Sequence, residues 1–87
     1  MKNISKVNKS QFFVFDEFVG KKIKLLRKQK GLTASELGEQ MGVSQQQISR
    51  YERGVNHINI ETLEKLSFFF KVSIFEFIIN NNYLNFK

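Results

Sequence analysis

The strongest constraint in this sequence is a helix-start signal that follows a helix end almost at once. Thr33 and Glu36 form a T-x-x-E pattern, in which each side chain can satisfy the other's backbone N–H at a helix N-terminus. Nine residues after Thr33, Gly42-Val43 interrupts the helix, and Ser44 can cap a new one. The two helices, 33–41 and 44–53, are short, and Gly54 closes the second. A linker of only Gly42-Val43-Ser44 leaves no room for the helices to lie side by side, so they must cross steeply. Such a crossing needs a small residue at the contact. Gly38 supplies one, at a cost of about 1 kcal/mol of helix propensity relative to Ala. Gly42 can adopt the positive φ that the turn requires. Leu37, Met41, Val43, Ile48 and Tyr51 are the apolar set that would lock the pair together.

The rest of the chain is helical in pattern, with no sustained period-two alternation. A first helix is expected over 16–30, ending at Gly31 with Lys28 and Lys30 in its last turn, where the helix dipole favours cations. A fourth spans 60–70 behind Asn59, and a fifth 74–80 behind Ser73, stopped by the run Asn80-Asn81-Asn82. The expectation is an all-α domain over 16–80, preceded by a partly flexible extension (1–15) and followed by a short tail (81–87). Eighty-seven residues suit one small domain, with no room for a second, ligand-sensing one. The chain has no Cys and a single His, His57, which excludes disulfides, thiolate zinc sites and all-imidazole zinc sites. Asp16 is the sole Asp, and nothing pairs a nucleophile with a base, so neither an enzyme nor a cofactor is expected. Uncharged stretches reach only about ten residues, half of a membrane span. The apolar segment near the N-terminus is too short for a signal peptide. A cytoplasmic protein without a membrane partner is expected.

The net charge is +6, and its placement is uneven. Residues 1–30 carry nine Lys or Arg against two acids; residues 31–60 carry two against three, and residues 61–87 three against three. A basic segment alone is more often a solvated face than a binding stripe. The third helix is more informative. With Ile48 turned inward and about 100° per residue, Gln46, Ser49, Arg50 and Arg53 fall on the outer face, with Gln45 at the helix start. That face has no acid. Gln can bond adenine N6 and N7, and Arg guanine O6 and N7, in a DNA major groove.

At this point the sequence resembles the Cro/CI-type (XRE-like) helix-turn-helix family. The matching residues are Gly20, Ile23, Leu26-Arg27, Gly31-Leu32-Thr33, Glu36-Leu37, Gly42-Val43-Ser44, Ile48-Ser49, Glu52, Gly54, Thr62-Leu63, Leu66 and Val72-Ser73. More loosely, residues 43–58 resemble small regulators linked to enterobacterial fimbrial operons. The family resemblance implies a five-helix, lambda-repressor-like DNA-binding domain with the helix-turn-helix at helices two and three. It implies a sequence-specific double-stranded DNA-binding transcriptional regulator, acting as a homodimer on a pseudo-palindromic operator. Ser44, Gln45, Gln46 and Arg50 match base-contacting positions, with Ser49 beside them, and Arg27 and Glu52 match a structural ion pair between helices one and three.

Two departures bear on function. Ala34 stands where many members carry a phosphate-binding Gln, leaving Thr33 and the backbone N–H groups there to hold phosphate, with Arg53 and His57 as further phosphate contacts. Phe68 and Phe75 stand where polar residues are usual, which implies a dimer interface, covered by residues 83–86 or 12–15. Two other readings remain open from sequence. One is an antitoxin-like member of a protein pair that binds both DNA and a partner protein. The other is a membrane-surface binder using the basic first helix and residues 12–18.

Overall fold

In a computed structural model, residues 9–79 are described, with side chains from Phe15 onward. Five helices follow one another: α1 (Lys9–Gln29), α2 (Ala34–Met41), α3 (Gln45–Arg53), α4 (Ile60–Phe70) and α5 (Phe75–Ile78). No strand occurs among the described residues, and no helix there is long and apolar enough to cross a membrane. The fold is the all-α, five-helix one expected.

α1 begins seven residues before the Asp16 start expected from the sequence. Asp16 resembles an N-cap, but its carboxylate is used elsewhere. It is buried, with Oδ2 2.7 Å from His57 Nδ1. No Gly or Pro in residues 9–15 breaks the helix, so helix replaces the end of the expected flexible extension. The expected tail (81–87) lies outside the described residues, as do the covering segment expected at 83–86 and the side chains of 12–14, while Phe15 is exposed.

Apolar residues at helical spacing set the packing. Val19 and Ile23 on α1, Leu37 and Met41 on α2, Ile48 on α3, Leu63 and Leu66 on α4, and Phe77 on α5 form one buried cluster. Each contributes about 1.5–3 kcal/mol by leaving water. α1 packs chiefly on α3 and also on α5, while α2 packs on α3 and touches α4. α5 is a single turn, shorter than the 74–80 expected, because Ile79 is already extended (φ −90°, ψ 121°). Phe77, fully buried, and the Lys22–Glu76 ion pair (3.1 Å) anchor that turn to the body.

Candidate nucleic-acid interface

The helix pair α2–α3 is held as its sequence requires. Thr33 Oγ1 accepts from Glu36 N–H at 3.0 Å, and Thr33 N–H donates to Glu36 Oε1 at 2.8 Å. Gly42 takes φ 74°, ψ 28°, and Ser44 Oγ accepts from Gln47 N–H at 3.0 Å to start α3. Gly38 lies at the crossing, where an added Cβ would be 2.6 Å from the Val43 carbonyl oxygen. The turn is thereby rigid. α3 leaves it in one direction only.

A second close approach fixes α3 against α1, and no short-range sequence signal announces it. A Cβ on Gly20 would stand 2.3 Å from Tyr51 O and 2.6 Å from Glu52 O. Beside it, Arg27 grips Glu52 in two-pronged fashion, Nε to Oε2 at 2.6 Å and Nη2 to Oε1 at 3.1 Å. Arg27 Nη1 also donates to Leu32 O at 2.8 Å, tying in the α1–α2 loop. Both side chains are largely buried. The hydrogen bonds that Arg27 donates to Glu52 raise its pKa above the ordinary value, and the partner's charge adds to this, against the opposing effect of burial. This geometrically matched, two-pronged pair thus ties α1 to α3.

With the core side of α3 occupied by Ile48, the residues left to solvent are Gln45, Gln46, Arg50 and Arg53. Ser49 is half-buried at their flank. Ser44 is exposed but uses an oxygen lone pair in the cap, so what it offers a ligand is its hydroxyl proton. Thr33 is likewise exposed and committed to its capping box. By helix geometry the N–H groups of Ala34 and Ser35 have no acceptor within α2, the arrangement that favours an anion at a helix start. His57 turns Nδ1 to Asp16, which couples the α3–α4 loop to α1 rather than leaving that nitrogen to a phosphate.

The N-terminal basicity also acquires a place. Arg53 and Lys21 line one shallow hollow with Glu17 and Glu52. Lys21, Lys24 and Lys28 are all exposed, and at about 100° per residue they fall within roughly 60° of one another on α1. Lys21 thus joins Arg53 at that hollow, and Lys24 and Lys28 share its side of α1. Lys22 points away, to Glu76. Phe68 and Phe75 are 87% and 60% exposed, but they stand over different neighbours. Phe68 opens on a hollow between α2 and α4, whereas Phe75 is on the helix that packs against α1.

Comparison with known proteins agrees with this geometry. A family model described as helix-turn-helix matches residues 23–77. An uncharacterised HTH-type transcriptional regulator of Sinorhizobium medicae is 37% identical over 60 residues, covering 69% of this chain and 43% of that protein. The antitoxin PezA of Streptococcus pneumoniae is 34% identical over 67 residues, covering 77% of this chain and 42% of its own. The chain thus spans less than half the length of these curated relatives. Among solved structures, the P22 c2 repressor in complex with a synthetic operator superimposes with a TM-score of 0.65 at 31% identity, over 70% of this chain and 92% of that one. With its turn, its outward-facing third helix and this match over more than half its length, the chain belongs to the Cro/CI-type helix-turn-helix family of DNA-binding transcriptional regulators.

Proposed function

We propose that this protein reads a pseudo-palindromic operator as a homodimer, with α3 in the major groove. The observation that carries the reading is the acid-free outer face of α3, where Gln45, Gln46, Arg50 and Arg53 are exposed on a helix fixed at both ends. Gln46 and Arg50 are assigned to base edges, with Gln45 and Ser44 at the groove floor and Ser49 at the flank. Arg53, the α2 start at Thr33, and the Lys21–Lys24–Lys28 stripe hold the phosphates on either side of the groove. The likeness to a repressor crystallised with its operator supports the same docking.

One reading helix spans too few base pairs for specificity in a genome, so two copies related by a two-fold axis are the economical arrangement. The pairing face is assigned to α5. There Phe75 and Ile78, one helical turn apart, are 60% and 37% exposed, and Ile79, just past the helix end, is 39% exposed. Half-sites then lie about 10–11 base pairs apart, centre to centre. A second reading, in which the domain is the DNA-binding part of an antitoxin-like pair, is favoured by the likeness to PezA. It uses the same α3 face.

Fluorescence anisotropy on random and selected duplexes tests the reading. Binding should weaken steeply with salt, and Arg50→Ala should cost about 1–3 kcal/mol on the selected duplex and little on random DNA. Salt-independent binding, or equal loss on both duplexes, would remove α3 from the role.

A further inference from the structure

We propose that the hollow between α2 and α4 is a docking site for an acidic segment of a partner protein, which inserts an aromatic or large aliphatic side chain. The hollow is about 480 Å³, with Met41, Phe68 and Phe69 as its apolar surface and Gln40, Lys65 and Lys71 at its edge. Phe68, at 87%, is more exposed than any other large hydrophobic residue among those described. A third lysine stands near the same aromatic surface, with Lys30 Nζ 5.5 Å from the centre of the Phe69 ring. No carboxylate lines the hollow; Glu39 and Glu64, on the same two helices, are not part of its wall. The site therefore combines an apolar anchor surface with a rim of two lysines and Gln40 that holds no acid.

Lys71 adds an independent observation. It ends α4 in the left-handed conformation, φ 58° and ψ 43°, and is the sole non-glycine with positive φ among the described residues. The ends of α1, α2 and α3 use Gly31, Gly42 and Gly54 for the same conformation. Glycine adopts it without strain and lysine does not. The rim thus carries a cation at a position where the backbone alone would favour glycine.

Charge decides among the possible occupants. Residues 1–14 contain three lysines and no acid, and residues 80–87 one lysine and no acid, so neither of these segments complements the rim. A second copy paired by two-fold symmetry across the hollow would bring Lys65 and Lys71 towards their own counterparts. An acidic segment with an apolar anchor matches both the rim and the floor. None of the lining residues belongs to α3, so docking leaves the reading face open.

The test uses the full chain, labelled with nitrogen-15, and a synthetic twelve-residue peptide of Asp, Glu and Leu with one central Phe. Its twin has Lys in place of every acid. The acidic peptide should shift amides around Met41, Phe68, Phe69 and Lys71, and the basic twin should shift none. Phe68→Ser, and Lys65→Glu with Lys71→Glu, should each weaken the peptide at least tenfold while duplex binding and oligomeric mass stay unchanged. Lys71→Gly should melt at or above the wild-type temperature and yet bind the peptide less tightly, a pairing that a merely structural role would not give. Peptide shifts on Gln45, Gln46 and Arg50 would overturn the proposal, since the peptide would then be mimicking DNA. So would loss of the dimer in Phe68→Ser, which would assign the hollow to a second copy. Tighter peptide binding on deletion of residues 80–87 would assign it to the chain's own tail, with the same consequence. Duplex binding is measured separately, so failure here is distinct from failure of the operator reading.

Discussion

Replacing Gly20 by Ala sets two effects of known size against each other. Gly20 lies inside α1, where Ala is favoured over Gly by about 1 kcal/mol from helix propensity alone. The new methyl, however, would meet Tyr51 O at 2.3 Å and Glu52 O at 2.6 Å. Both are backbone atoms of a hydrogen-bonded helix and cannot rotate aside. Restoring an ordinary contact near 3.4 Å from 2.3 Å requires α3 to move about 1 Å from α1. That shift would stretch the Arg27–Glu52 bond, now 2.6 Å, and the close approach of Gly54 to the Glu17 backbone. Overpacking against side chains costs about 1–3 kcal/mol, and backbone atoms put this site at or above the top of that range. After the propensity gain, a net loss of about 2–3 kcal/mol remains. For a domain of this size that lowers Tm by about 10–20 °C. Thermal and urea melts followed by circular dichroism measure it. A Gly20→Ala protein that melts at or above wild type would refute the claim that the α1–α3 approach sets the reading helix.

Gly38→Ala should also destabilise, through its 2.6 Å approach to Val43 O, and should lower duplex affinity by tilting α3; urea melts paired with anisotropy read both. Arg27→Met should cost about 3–5 kcal/mol because it strands the buried Glu52 carboxylate, while Arg27→Met with Glu52→Leu should recover much of the loss in a denaturant titration. Changing Lys21, Lys24 and Lys28 together to Gln should reduce the slope of log affinity against log salt by about 2–3, at about 0.9 per phosphate, with the preferred sequence unchanged. Phe75→Glu should yield a folded monomer by light scattering, and Phe68→Glu should leave the oligomeric mass as it was.

Local chemistry is legible in the amino-acid sequence alone. The caps at Thr33, Ser44 and Asn59 are set by short-range hydrogen bonds, and the turn follows from Gly42 and the three-residue spacing. The Arg27–Glu52 pair is reached through family resemblance, because nothing local joins residues 25 apart in sequence. Tertiary pairings are where sequence patterns fall silent. The sequence pattern starts α1 at Asp16, seven residues late, and gives no sign that the Asp16 carboxylate is buried against His57. Lys21 and Arg53 share one hollow where Gly20 lets two helix backbones nearly touch. Phe68 and Phe75 look alike as misplaced aromatics, and only packing sends one to the α2–α4 hollow and the other to α5.

The central claim is that α3 reads base pairs through Gln46 and Arg50. Selection of bound sequences from a random duplex library, run in parallel for wild type, Gln46→Ala and Arg50→Ala, tests it most directly. Wild type should select a two-fold symmetric motif with half-sites about 10–11 base pairs apart. Each variant should lose preference at one position per half-site while keeping the rest. A wild-type library that shows no enrichment, or variants that return the unaltered wild-type motif, would contradict it.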